Sequence, residues 1–297
     1  MADRESYLVV GGDSLVGGGL IKVLSRRGER FYSTTRRKET VTEERVYLDF
    51  EDEDSYKVPA DVGYAFIVAA ATNYERCEKD PVAYTTNVEL TPRLIEWLLK
   101  QGIFVTFIST NSVFGGERPW PHEESEHAPG IAYAIQKDEA EKGVKKVVKK
   151  LGAEESLNIV RLTKILDKNT PPTPQWLAAW KRGEKVTPFS DLIFSPMSVR
   201  FVGEALATIG RKRVSGDLHL SGADNVSYVD FATALAKKLG VDESLLSPTT
   251  STAVGVNIAF KPTYSGLGME RTTALTGIEP QKLADVITDL VEQTNNS

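Results

Sequence analysis

Tyr133 and Lys137 place a phenol and an ammonium four residues apart in Tyr133-Ala134-Ile135-Gln136-Lys137. On a helix that spacing is one turn, so both heads point to the same side. A neighbouring cation favours phenolate, which predicts a tyrosine pKa drawn down toward the range useful for proton transfer. Upstream, Ile108-Ser109-Thr110-Asn111-Ser112-Val113-Phe114-Gly115 puts hydroxyls at the end of an apolar run. A hydroxyl at the carboxyl end of a buried parallel strand faces the ligand crevice. Near the start, Gly11-Gly12-Asp13-Ser14-Leu15-Val16-Gly17-Gly18 follows a short apolar stretch. Glycine there permits positive φ and lets the backbone approach a pyrophosphate at a helix N-terminus. The same run without ligand would be a tight turn, but its place in the first βαβ unit favours a dinucleotide. The next strand candidate ends in Thr34-Thr35-Arg36-Arg37-Lys38, with no acid at its tip. An acid would accept from a ribose hydroxyl, whereas a guanidinium pairs with a 2′-phosphate, so Arg36 and Arg37 favour NADP(H) over NAD(H). Asp49 and Phe50, ending a third strand candidate, could flank an adenine, and Phe50 reads equally as core.

These groups need a scaffold, and the periodicity supplies one. Residues 6–10, 30–35, 45–50, 62–71, 104–108 and 157–162 read as buried strands. Helical patterns lie between several of them: from Leu15 to a stop at Gly28, over 91–100, and over 133–151. Strands apolar on both faces and alternating with helices imply a doubly wound parallel sheet, a Rossmann-type α/β fold. Beyond Leu162 the texture changes. The proline-rich 170–174 reads as a loop, and Trp176, Leu177 and Trp180 as a short amphipathic helix. Helices over 198–210, 229–239 and 283–292 and a strand over 217–220 complete the pattern. The expected division is a cofactor domain of residues 1–165 with about 198–220. A smaller, partly interleaved C-terminal α/β substrate lobe takes about 166–197 and 221–297.

As an ordered set, the motifs resemble the extended short-chain dehydrogenase/reductases, and most of all their dTDP-4-dehydrorhamnose reductase branch of sugar-nucleotide reductases. The matching residues are the glycine turn, Ala69-Ala70-Ala71-Thr72, Thr86-Asn87-Val88, Ser109-Thr110 through Phe114-Gly115, Tyr133, Lys137 and Phe194-Ser195-Pro196-Met197. The resemblance implies that Thr110 hydrogen-bonds a substrate carbonyl and Tyr133 donates the proton. Lys137 would lower the tyrosine pKa and hold the nicotinamide ribose. Gly11, Asp13, Ser14, Leu15, Val16 and Gly17 would carry the pyrophosphate. Ala69, Ala70, Ala71 and Thr72 would lie against the cofactor, with Asn87 in support. Asn111, Ser112 and Arg200 are the substrate-side candidates, Arg200 for a diphosphate. Four positions depart from the family pattern: Ser14 replaces the middle glycine of the turn, Asn111 an acid, Met197 a threonine, and Pro92 enters a helix that is usually long. The implied activity is NADPH-dependent reduction of a nucleotide-activated 4-keto-sugar. Alternatives are an epimerase that retains its cofactor and a non-catalytic NADP-binding regulatory subunit.

Composition narrows the classes further. A chain of 297 residues with 41% hydrophobic and 26% charged residues has ordinary globular composition. A net charge of −5 disfavours a nucleic-acid binder that relies on overall basicity. One cysteine and the scattered His122, His127 and His219 predict no metal site. Residues 1–5 lack the basic-then-apolar order of a secretory signal, and the stretch 7–24 is broken by Asp13, Lys22 and glycines, so a cytoplasmic location without membrane contact is expected. The helices at Thr91 and Tyr133 are candidates for a homodimer contact.

Overall fold

The first apolar run forms β1 (Ser6–Val10), with all five residues buried, as a strand covered on both faces requires. This is a computed structural model, and it describes residues 5–69 and 71–295, so Ala70 lies outside the described residues. After β1 come α1 (Leu15–Arg26), β2 (Phe31–Thr35), β3 (Arg45–Tyr47), β4 (Val62–Ile67), α2 (Tyr74–Lys79) and α3 (Pro81–Tyr84). A wide π-helical turn (Thr85–Leu90) leads into α4 (Thr91–Lys100), followed by β5 (Phe104–Thr110), α5 (Ala132–Leu151) and β6 (Leu157–Leu162). The second half contributes β7 (Lys164–Leu166), α6 (Thr173–Lys181), β8 (Ile193–Phe194), β9 (Pro196–Ser198) and α7 (Val199–Lys212). It closes with β10 (Gly216–Leu220), β11 (Val226–Ser227), α8 (Tyr228–Leu239), α9 (Glu270–Thr276) and α10 (Leu283–Asn295).

Seven strands join in the order β3-β2-β1-β4-β5-β6-β10. Every neighbouring pair in that sheet is parallel. The order reverses direction between β1 and β4, and a doubly wound sheet opens its ligand crevice at the carboxyl ends of the strands there. On one face, Leu94 and Leu98 of α4 and Ala140 and Val144 of α5 pack with Leu8, Val105, Phe107 and Ile159. On the other, Leu20 and Leu24 of α1 and Val202 and Leu206 of α7 pack with Val9, Phe66 and Val160. A third cluster of Leu166, Trp176, Trp180, Phe194, Phe231 and Val286 forms away from the sheet. Trp176 and Trp180 are therefore core there.

Several expected boundaries shift, each for a local reason. The strand anticipated over 62–71 stops at Ile67, because Val68 and Ala69 both donate to the carbonyl of Val10 and turn the chain over the glycine turn. The strand anticipated over 45–50 pairs only through Tyr47. Asp49 then enters a turn closed by Ser55, and Phe50 is buried in the first core cluster. Thr173 and Pro174 open α6 instead of ending the loop, since proline is tolerated in a first helical turn. Pro92 likewise occupies the first turn of α4, directly after the π-helical turn. The segment around α9 contacts the sheet: Met269 joins the second cluster, and Thr272 Oγ1 both accepts from the His219 amide and donates to its carbonyl on β10.

One charged residue sits inside this architecture. Arg161 of β6 has no solvent exposure and pairs in a fork with Glu141 of α5, its NH2 2.7 Å from Oε2 and its Nε 3.1 Å from Oε1. The same guanidinium reaches Asp217 on β10 at 2.9 Å and the carbonyl of Glu123 at 3.0 Å. Breaking such a pair from one side strands a buried charge. Glu141→Leu should cost about 3–5 kcal/mol in urea unfolding, and combining it with Arg161→Met should recover most of that loss.

Candidate active site

The turn after β1 is built around two close approaches. Gly11 has φ +95°, and a Cβ there would stand 2.8 Å from the Ala69 amide nitrogen. A Cβ on Gly17 would stand 2.3 Å from the carbonyl oxygen of Gly11. Only glycine satisfies both. Ser14 is the N-cap of α1: its hydroxyl accepts from the Gly17 amide at 3.0 Å and donates to the Gly11 carbonyl at 2.8 Å. The serine in place of a glycine therefore spends its hydroxyl inside the turn. Leu15 and Val16 follow as the first turn of α1, which gives this end of the helix its partial positive charge. A tight turn leading straight into a helix N-terminus, with no room for side chains at Gly11 and Gly17, fits a pyrophosphate. At the neighbouring strand tip, Arg37 and Arg45 both contact Asp13, while Arg36 is exposed.

Thr110 ends β5, and its hydroxyl accepts from the Ser112 amide and exchanges a 3.0 Å hydrogen bond with the Ser112 hydroxyl. Ser112 is fully buried, so it orients Thr110 from behind. Tyr133 opens the first turn of α5 with its ring 5.4 Å from that of Tyr74. Its pKa is raised, contrary to the expected lowering: burial dominates, Tyr74 adds to it, and only the Thr110 hydroxyl acts downward. Lys137 is buried one helical turn on. Its ammonium donates to the Ile108 carbonyl at 2.6 Å and lies 4.3 Å from the centre of the Phe107 ring. Burial lowers its pKa to about 8, opposed by the Glu141 carboxylate. Desolvation thus pushes both groups toward their neutral forms.

Asn87, in the π-helical turn, clamps the loop beyond β4. It accepts from the Ala71 amide at 2.9 Å, donates to the Ala71 carbonyl at 3.0 Å, and donates to Gln136 Oε1 at 2.8 Å. Gln136 in turn donates to the Cys77 carbonyl at 2.7 Å. Gln136, which sequence reasoning passed over, thus ties Lys137's helix to the loop holding Ala69, Ala71 and Thr72; its position beside Lys137 was the available signal. Asn111 accepts a long 3.4 Å hydrogen bond from the Thr110 hydroxyl and donates to the carbonyl and hydroxyl of Ser265, fixing the far loop to the end of β5. Arg200 is already committed to Asp289 at 3.3 Å and Glu292 at 2.9 Å. Asp49 and Phe50 belong to the turn beside β3.

Two residues on the crevice side had no sequence signal. Lys164 follows β6 at the carboxyl edge of the sheet, two positions beyond Leu162, the register partner of Thr110. Its side chain is exposed, and partial desolvation lowers its pKa. It has no hydrogen-bond or ion-pair partner among the described residues. On β7, Lys164 shares a strand face with Leu166, whose side chain enters the third cluster, while Ile165 packs on the second. Tyr228 stacks on Phe194 of that cluster at 4.4 Å, and its pKa is raised by burial and then by Tyr74. The histidines are engaged elsewhere: His127 with Asp138 at 2.6 Å, His122 near Glu270, and His219 buried against Arg161 with its pKa lowered to about 3. No helix among the described residues is long and apolar enough to cross a membrane.

Comparison with known proteins places this architecture. The family model described as "RmlD substrate binding domain" matches residues 5–296. The spore coat polysaccharide biosynthesis protein SpsK of Bacillus subtilis is 26% identical over 242 residues, spanning 77% of this chain and 78% of that protein. Among solved structures, a dTDP-4-dehydrorhamnose reductase from Bacillus anthracis in complex with NADP superposes with a TM-score of 0.81 at 20% identity, covering 97% of this chain and 99% of that one. MoeE5 in complex with UDP-glucose and NAD superposes with a TM-score of 0.79 at 20% identity, covering 98% and 99%. Likeness at that identity carries the fold.

The depressed pKa of Lys137 has a measurable sign. Its folded value lies below that of an unfolded lysine, so the cost of burying the charge is fully present below about pH 8. That cost fades as pH rises from there toward the ordinary lysine value. Lys137→Met should therefore stabilise the ligand-free protein at pH 7 by about 1–3 kcal/mol, allowing for the hydrogen bond it loses. Paired denaturant curves at pH 7 and pH 10 should show the advantage shrinking at the higher pH.

Proposed function

The chain belongs to the RmlD substrate binding domain family, oxidoreductases of the extended short-chain dehydrogenase/reductase type; we propose that it is an NADPH-dependent reductase of a nucleotide-activated 4-keto-sugar. The observation that carries this reading is the convergence of Thr110 and Tyr133, with Lys137 behind them, at the carboxyl end of β5. The glycine turn and α1 would hold the cofactor's pyrophosphate, the β2 tip its adenosine end, and Lys137 its nicotinamide ribose. When bound, the cofactor supplies hydride to the keto carbon.

Reduction of a carbonyl builds negative charge on its oxygen, and that charge needs donors already aimed at it. Tyr133 fits the task because burial keeps its proton in place until an oxyanion is there to take it. Thr110 contributes a second hydroxyl, held by Ser112 so that little reorganisation is needed. Lys137 stabilises negative charge arriving nearby while anchored to Ile108. Lys164, without an ion-pair partner among the described residues, is the cation offered to the substrate's diphosphate, whereas Arg200 would have to exchange Asp289 and Glu292 for it.

The test is turnover of a nucleotide 4-keto-sugar with NADPH, followed by absorbance and product analysis. One NADPH should disappear for each alcohol formed. Turnover without net consumption would replace reduction by epimerisation. Tyr133→Phe should lower kcat by about 10²–10⁴-fold while NADPH still binds. Lys164→Gln should act on the other parameter, raising KM for the nucleotide-sugar roughly tenfold with kcat little changed, as loss of one charged contact to substrate predicts.

A further inference from the structure

We propose that Asp13 is a cofactor-specificity residue: a built-in anion that competes with the 2′-phosphate of NADPH for Arg37 and Arg45. The inference deepens the NADPH reading above and rests on it. Its basis is the arrangement at the tip of β2. One Asp13 carboxylate oxygen, Oδ1, lies 3.1 Å from Arg37 NH2 and 2.5 Å from Arg45 NH2. The other oxygen accepts from the Thr35 hydroxyl at 3.4 Å. Thr35 also accepts from the Arg37 amide at 3.1 Å and from Arg45 NH2 at 3.3 Å. One carboxylate, two guanidiniums and a hydroxyl thus meet at the last residue of β2, where a doubly wound sheet receives the adenosine ribose.

Arg45 belongs to β3, opposite Ser33 in the parallel register, so a reading confined to the β2 tip finds Arg36 and Arg37 and misses it. Its Nε is buried and has no hydrogen-bond partner among the described residues. A guanidinium presents its donors as a fork, and Asp13 with Thr35 occupies only the NH2 arm. A phosphate brings three acceptor oxygens and up to two charges, more than the single carboxylate oxygen that the two guanidiniums share.

The ion pairs that hold Asp13 are partly exposed, with side-chain exposures of 44% for Asp13, 59% for Arg37 and 29% for Arg45. Pairs in that setting are weak, so a phosphate dianion can displace the carboxylate. The displaced carboxylate then remains beside the phosphate and opposes it. With NADH there is no phosphate, and Asp13 keeps both arginines while its second oxygen can accept from the ribose 2′-hydroxyl. Asp13 therefore narrows the preference for NADPH that the two arginines would otherwise give.

Calorimetric titration of the full chain with 2′,5′-ADP, ADP, NADPH and NADH tests this. Asp13→Asn should tighten 2′,5′-ADP and NADPH by roughly three- to tenfold and leave ADP and NADH unchanged or weaker, the size expected for removing one partly screened charge. Arg45→Gln should weaken 2′,5′-ADP and spare ADP. Asp13→Ser serves as a second carboxylate-free variant should the asparagine protein fold poorly. Unchanged or weaker 2′,5′-ADP binding in both Asp13 variants, or equal tightening of 2′,5′-ADP and ADP, would overturn the proposal while leaving the reductase reading intact. Failure of the wild-type protein to bind any of the four would overturn both together.

Discussion

A fully buried guanidinium is the constraint around which this protein is organised. Arg161 lies on β6, between β5 and the edge strand β10, and its charge must be matched in place because water cannot reach it. The groups that match it come from three separate segments of the chain. Glu141 comes from α5, Asp217 from β10, and the Glu123 carbonyl from the segment between β5 and α5. His219 completes the set, kept neutral so that its Nε2 can accept from the guanidinium. Glu141 stands one helical turn beyond Lys137 and two beyond Tyr133, on the same stripe of α5. The ion pair therefore fixes the rotation of that helix about its own axis. The phenol and the ammonium inherit their aim from it.

The same dry interior determines what the site groups are before any ligand arrives. Proximity of a lysine to a tyrosine suggests a phenolate, but that expectation assumes a hydrated pair. Here burial outweighs proximity. Tyr133 holds its proton more firmly than a free tyrosine, and Lys137 holds its own less firmly than a free lysine. A proton donor with these properties stays loaded until charge develops in front of it. With its pKa lowered to about 8, Lys137 still carries most of its charge at neutral pH, and an anion bound beside it would strengthen its hold on the proton.

Much of this was legible in the chain itself. The six strands of the first half, the glycine turn and the helix of Tyr133 and Lys137 all follow from short apolar runs, glycine stops and helical spacing, signals local to a few residues. What was not legible depends on pairing between distant segments. Arg200 looks like a free cation in sequence and is bound by two acids of α10, some ninety residues later. Asn111 looks like a substrate contact and is fastened to Ser265. Lys164 and Arg45 carry no motif; their interest lies in what does and does not stand beside them in space. Boundaries failed for the same reason. The strand expected to continue to residue 71 ends at Ile67 because Val10, on another strand, captures the next two amides.

The π-helical turn between α3 and α4 links two phases of one helical rod. Asn87 within it must face Ala71 and Gln136, while Leu94, Ile95 and Leu98 beyond it must face the core. A regular α-helix advances about 100° per residue, so one residue more or fewer between these two obligations rotates one against the other by that angle. The wide turn holds the spare residue that lets both be met, with the Thr91 hydroxyl donating to the Thr86 carbonyl at 2.8 Å across it. Shortening this segment by a single residue would make a more regular helix and a misphased one. Either the leucines would swing off the sheet, or Asn87 would release the loop that lies over the glycine turn. Chain length here is thus as constrained as residue identity, in a stretch where no side chain announces it.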